Sequence, residues 1–190
     1  PGILLILLAS TMHQSALLML PAILLMQGEA WNKKTILCIL ASLAVLLFVD
    51  QFTNLMDSML AETQYKNVVS DYQSWKDNGT NPIRVLVYSI PAILSLAGLR
   101  YIRAEGDPMI HAATGASILT CGIYLISMVT SGVFLGRLPI YVSIWSQCIL
   151  LPWEINHIFS KQSARLVKVA AVLCYCVFFY YQMHIAWEIL

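Results

Sequence analysis

Gly136-Arg137-Leu138-Pro139-Ile140-Tyr141-Val142-Ser143-Ile144-Trp145 opens an apolar run that continues through Ile149, Leu150 and Leu151 to Pro152 and Trp153. An arginine at the mouth of such a run is costly unless an anion or a water-filled cavity receives it. Pro139 suits the first turn of a helix, where its missing N–H is no loss. A helix starting there sets Arg137, Tyr141 and Trp145 at successive i, i+4 steps near one face. Upstream, Asn81-Pro82-Ile83-Arg84-Val85-Leu86-Val87-Tyr88 repeats the device, again with tyrosine four residues after arginine. The two arginines are expected to mark the working side of a membrane protein.

Composition agrees with a membrane setting. The chain of 190 residues is 59% hydrophobic and only 11% charged, against about 25% charged in ordinary soluble domains. The net charge of +1 offers no field to attract nucleic acid, and no nucleic-acid partner is expected. A spanning helix needs about 20 mostly apolar residues. On that rule the sequence predicts an all-α, polytopic membrane bundle of six spans, over residues 3–26, 35–56, 83–99, 109–129, 138–158 and 166–187. The whole of 1–190 forms one transmembrane domain. Because the chain starts at Pro1, already inside an apolar run, it is expected to be the later part of a longer protein. Pro21, Pro91 and Pro152 fall inside spans and are expected to kink them around an internal cavity.

Basic residues orient the spans. Lys33 and Lys34, Arg100 and Arg103, and Lys161, Arg165 and Lys168 occupy alternate connections, which are assigned to the cytoplasm. Arg84 and Arg137 then face outward, against the usual bias. The external segment 61–82 carries Tyr65, Val68, Val69, Tyr72 and Trp75 at three- to four-residue steps, the pattern of a short amphipathic surface helix. Its Asn78-Gly79-Thr80 matches a glycosylation sequon but reads as part of a turn.

The two arginines lead the candidates for chemistry, since guanidinium stays charged and grips phosphate oxygens with a planar fork. Snorkelling to lipid headgroups is the plainer account of each. Asp50, Asn54 and Asp57 share one face of the second span; Asp50 is either a general base or an arginine's partner, and Asp57 is interfacial. His13, within the first span, either relays a proton or is satisfied by a neighbouring helix. His184 and Glu188 are an accessory pair or simple end polarity. Glu154-x-x-His157 has di-iron spacing, but occurs once and without a second glutamate pair, so no metal is expected. The five cysteines lack ligand spacing and read as lipid- or core-facing fillers.

Three stretches resemble the EpsG family, the Wzy-like polymerases of bacterial exopolysaccharide and capsule. They are His13-Gln14-Ser15-Ala16-Leu17 with Leu20-Pro21, then Asn81-Pro82-Ile83-Arg84-Val85-Leu86-Val87-Tyr88-Ser89-Ile90-Pro91, then Gly136-Arg137-Leu138-Pro139-Ile140-Tyr141 with Leu151-Pro152. Their order and spacing match over nearly the whole chain, with the family's N-terminal half absent. The resemblance implies a multi-pass glycosyltransferase of GT-C-like helical architecture in the bacterial plasma membrane. Its substrate would be an undecaprenyl-diphosphate-linked glycan, transferred onto another lipid-linked repeat unit. Membrane lipids and other polysaccharide-assembly proteins are the implied partners, and no cofactor is implied. Arg137, Arg84, Tyr141, Tyr88 and Asp57 would bind substrate, with Asp50 or His13 as catalytic base. A flippase for lipid-linked glycan and a non-catalytic scaffold of an assembly complex are the rival classes.

Overall fold

A computed structural model describes residues 2–12, 16–17, 19–60, 79–130, 132 and 135–186. Every regular element among them is helical. In chain order these are α1 (Gly2–Met12), α2 (Met19–Met26), α3 (Lys33–Leu47), α4 (Val49–Leu60), α5 (Pro82–Ala97), α6 (Leu99–Glu105) and α7 (Pro108–Val129). A 3-10 turn (Leu135–Arg137) then leads to α8 (Ile140–Trp145), a π turn (Ser146–Leu150), α9 (Leu151–Ile158), α10 (Lys161–Tyr181) and a second π turn (Gln182–Ala186).

Two helices, Pro108–Val129 and Lys161–His184, are each long and apolar enough to cross a membrane, or up to four if each of two bent pairs is one span. The helices are thus those of a membrane helical protein, and among the described residues two to four of the six expected spans are found. The expected second span bends by 105° between α3 and α4. The break falls at Phe48, whose backbone leaves the helical region at φ −127°, ψ 47°. Sequence character changes there too: α3 is mostly apolar, whereas α4 carries the polar side chains Asp50, Gln51, Asn54 and Ser58, all exposed. An amphipathic helix gains most by lying along an interface. The expected third span bends by 73° between α5 and α6.

That second bend is at Gly98, not at Pro91. A Cβ on Gly98 would lie 2.6 Å from Ile158 Cδ1, so glycine lets α9 approach without displacing that side chain. Pro91 is buried inside an unbroken α5. Pro21 falls in the first turn of α2, and Pro152 is the second residue of α9. Both therefore stand where a missing N–H is harmless, and the π turn before Pro152 takes up the irregularity instead.

The centre of the bundle is α7. Every residue from Ala113 to Thr120 is buried, and α7 packs against α2, α3, α5 and α8. Its most apolar window is 61% buried, against 6% for α10, which places α10 at the lipid-facing edge. The reason is the small-residue run Ala112-Ala113-Thr114-Gly115-Ala116-Ser117. Lipid tails are as apolar as leucine, so helices in a bilayer associate through close packing at small side chains. A Cβ on Gly115 would meet Met26 Cα at 2.8 Å, and one on Gly122 would meet Ser42 Oγ at 2.6 Å. The hydroxyls of Thr114 and Ser117 turn back onto Ile110 O and Thr114 O at 2.8 and 2.7 Å, satisfying themselves within the helix.

The two ends of α7 collect different connections. At its start, the Ala30 N–H donates to His111 Nδ1 at 3.0 Å, and Trp31 Nε1 donates to Ser95 Oγ at 3.0 Å. With Gly98 against Ile158, this brings the segments bearing Lys33, Lys34, Arg100, Arg103 and Lys161 to one end, in keeping with the basic-residue alternation. At its finish, the Thr80 N–H donates to Ser127 O at 3.0 Å, bringing the start of α5 to the other end.

Gly115→Ala is expected to cost about 1–3 kcal/mol of stability, because the new methyl meets backbone that cannot rotate away. Gly122→Ala should cost less and be rescued in part by Ser42→Ala, since its obstacle is a side-chain hydroxyl. Thermal unfolding in detergent measures both; a Gly115→Ala protein as stable as the parent contradicts the close approach of α7 and α2.

Candidate functional site

Both arginine-bearing segments arrive at the finish of α7. Asn81 caps α5, its side chain accepting the Ile83 N–H at 2.8 Å, and Pro82 takes the first helical position. Arg84 is thereby held in the first turn of α5. Thr80 anchors this start to α7: besides its backbone bond, its Oγ1 accepts from Ser127 Oγ at 2.8 Å. The other segment closes on the same residue, since a Cβ on Gly136 would lie 2.5 Å from Thr80 Oγ1. Glycine at 136 lets the turn carrying Arg137 approach the loop that starts α5 without displacing the Thr80 side chain. A third element joins them from α10. Asn81 Nδ2 donates to Tyr181 Oη at 2.7 Å, and Arg84 Nη2 donates to Gln182 Oε1.

The two guanidinium groups differ in exposure. Arg84 is half-buried, while Arg137 is exposed at the end of its 3-10 turn. The helix expected from Pro139 begins one residue later, at Ile140, with Pro139 buried behind it. Tyr141 and Trp145 stand one turn apart on the exposed side of α8. Tyr141 borders a cavity of about 180 Å³ floored by Ala22, Leu119 and Val142. Tyr88, one turn below Arg84, is turned into the bundle, its ring 5.1 Å from Tyr124 and 6.2 Å from Phe178. An aromatic cluster thus lies one turn below Arg84. Guanidinium groups can bind a phosphate or diphosphate, and tyrosine hydroxyls can reach neutral sugar oxygens.

The remaining candidates stand apart from this cluster. Asp50 is exposed in the first turn of α4, beyond the 105° bend, and its carboxylate has no hydrogen bond or ion pair among the described residues. The backbone of Asp57 continues the same helix. His13, residues 61–78 with their expected surface helix and all of the sequon but Gly79 and Thr80, and Glu188 lie outside the described residues. His184 stacks on Tyr180, ring centroids 5.2 Å apart. His157 stacks on Trp153 at 4.0 Å and is exposed, while Glu154 is fully buried, so the Glu154-x-x-His157 pair is split between two environments. Among the described residues no group of three or more His, Cys, Asp or Glu could hold a metal.

Two residues gain importance from the structure. Gln182 ties Arg84 to α10 from within a π turn, and its Nε2 is buried without a partner. A lone amide in the apolar run Phe178-Phe179-Tyr180-Tyr181-Gln182-Met183 is the signal that could have found it, because buried amides in lipid seek interhelical bonds. Glu154 is 0% exposed, and neither of its carboxyl oxygens has a partner. Its place near the charged end of the run concealed its burial.

The EpsG family model matches residues 2–187. No curated protein and no solved structure matches the chain.

An unpartnered buried carboxyl costs about 1–3 kcal/mol relative to an apolar group of like size. Glu154→Leu is therefore expected to raise stability by that amount in a thermal unfolding assay. A fall in stability would instead show that the carboxyl is bonded in the native membrane protein.

Proposed function

The chain belongs to the EpsG family, whose members are membrane proteins of polysaccharide polymerisation, and from that premise we propose that it is a glycosyltransferase joining undecaprenyl-diphosphate-linked oligosaccharide repeat units at the outer face of the bacterial plasma membrane. The observation that supports this most is the meeting of Arg84 and Arg137 segments at one end of α7, away from the basic connections. An exopolysaccharide or capsule is the product class.

In the reaction, the bond from the anomeric carbon to the diphosphate oxygen breaks as the acceptor hydroxyl oxygen bonds to that carbon. The sugar passes through oxocarbenium character, and the hydroxyl proton goes to a base. Negative charge grows on the departing diphosphate. Arg137, exposed at the end of its 3-10 turn, grips that diphosphate, and Arg84, braced by Gln182, holds the second charge. No metal enters the step when two guanidinium groups carry this charge. Tyr141 bonds a phosphate or sugar oxygen, and Tyr88 walls the sugar site from below. Asp50 or His13 accepts the proton. Asp57 orients the acceptor from the same helix as Asp50.

Chain extension from lipid-linked units by purified protein, without ATP or an ion gradient, tests the reading. Arg137→Ala is expected to lose about 3 kcal/mol of transition-state stabilisation, roughly two orders of magnitude in rate. Arg137→Lys should fall almost as far, because a point charge does not replace a planar fork. Arg84→Ala should fall less. Near-normal extension by Arg137→Ala at equal protein level removes Arg137 from the site.

A further inference from the structure

A second cavity lies at the opposite end of the bundle, where the polymerisation chemistry makes no use of it. It measures about 880 Å³, within the range of about 300–1,000 Å³ typical of ligand pockets. Its walls are apolar, from Ile23, Met26, Ala112 and Trp145, and its mouth is polar, from Glu29, Arg103 and His111.

The three polar side chains are gathered around one buried residue, Ala30. The Ala30 N–H donates to His111 Nδ1 at 3.0 Å, and Ala30 O is 3.5 Å from Arg103 Nη2. A backbone N–H can only donate, so Nδ1 must accept, and the proton of the neutral ring sits on Nε2. That nitrogen has no described partner, and Arg103 spends only one long contact on protein. Glu29 precedes Ala30 in a turn shaped by Gly28 at φ 103° and Trp31 at φ 57°. No described hydrogen bond or ion pair neutralises its carboxylate. Lys34 is not available here, because its Nζ caps the end of α2 at Leu24 O, 3.1 Å away.

One cation, one N–H donor and one anion thus stand at the mouth of an apolar cleft at the membrane boundary. We propose that this cavity binds a zwitterionic aminophospholipid. Its phosphate lies on Arg103 and His111 Nε2, its primary ammonium on Glu29, and its glycerol and upper acyl segment between Met26 and Trp145. A headgroup with phosphate but no amine satisfies Arg103 and leaves Glu29 unpaired. A quaternary ammonium cannot donate hydrogen bonds to Glu29. The site therefore selects phosphatidylethanolamine over phosphatidylglycerol and phosphatidylcholine of identical acyl chains.

Native mass spectrometry of the full chain, titrated with those three lipids, tests the assignment. Phosphatidylethanolamine is expected to bind about tenfold more tightly than the other two. Glu29→Gln should reduce it to their level, while Arg103→Ala should weaken all three. Both side chains are exposed, and their variants should retain the parent's thermal stability. Equal binding of the three lipids by the parent, or unchanged preference in Glu29→Gln, overturns the proposal. So does displacement of the lipid by millimolar inorganic phosphate, which would make this a site for free phosphate. Chain extension need not change in Glu29→Gln, so this result stands apart from the test of Arg137.

Discussion

Close packing at the small face of α7 is the constraint on which the rest depends. In a bilayer, burying apolar surface between helices gives little advantage over burying it in lipid, so attraction must come from short contact distances and interhelical hydrogen bonds. Gly115 and Gly122 allow α2 and α3 to approach within van der Waals contact of the α7 backbone. Hydroxyls at Thr114 and Ser117 satisfy themselves within α7 and leave its surface smooth. Once α2, α3, α5 and α8 are seated on this helix, the positions of the connections at both of its ends follow.

Each end then acquires its own chemistry. At the finish of α7, Thr80 makes bonds to Ser127 and touches Gly136, so that the two arginine segments share one anchoring residue. Gln182 fixes Arg84 from the lipid-facing helix, while Arg137 remains exposed. One arginine braced by Gln182 and one exposed arginine suit a substrate that must be held and then released as its leaving group gains charge. At the start of α7, His111 reaches Ala30, and Glu29, Arg103 and His111 line a wide cleft. The bundle is therefore polar at both ends for different reasons. Its fully buried Glu154 is a third, interior polarity that neither end explains.

The sequence carried the helical class, the membrane setting, the bounds of α5 and α7 to within two residues, and the sharing of one end by Arg84 and Arg137. Those features rest on long apolar runs and on proline and asparagine at helix starts, which are local signals. The bends were not legible in the same way. Hydropathy averages over Leu47-Phe48-Val49 and sees one run, whereas the turn of α4 follows from its amphipathic face. The bend at Gly98 depends on Ile158, sixty residues away, and the prolines that attracted the expectation of kinks instead sit at helix starts or pass through α5 unbroken. Gln182 and Glu154 escaped because burial is a tertiary property: each lies near a run's end in sequence and well inside the bundle in space. Asp50, read as a general base or an arginine's partner within a span, is exposed on α4 beyond the bend at Phe48.

The central claim is that the arginine end of α7 faces the outside of the cell and the Ala30–His111 end faces the cytoplasm. Single cysteines introduced into a cysteine-free background, at Arg84→Cys, Arg137→Cys, Lys33→Cys, Arg103→Cys and Arg165→Cys, measure it directly with a membrane-impermeant thiol reagent. The account predicts labelling at 84 and 137 in intact cells, and at 33, 103 and 165 only after permeabilisation. Labelling of 103 in intact cells with 137 protected would contradict it.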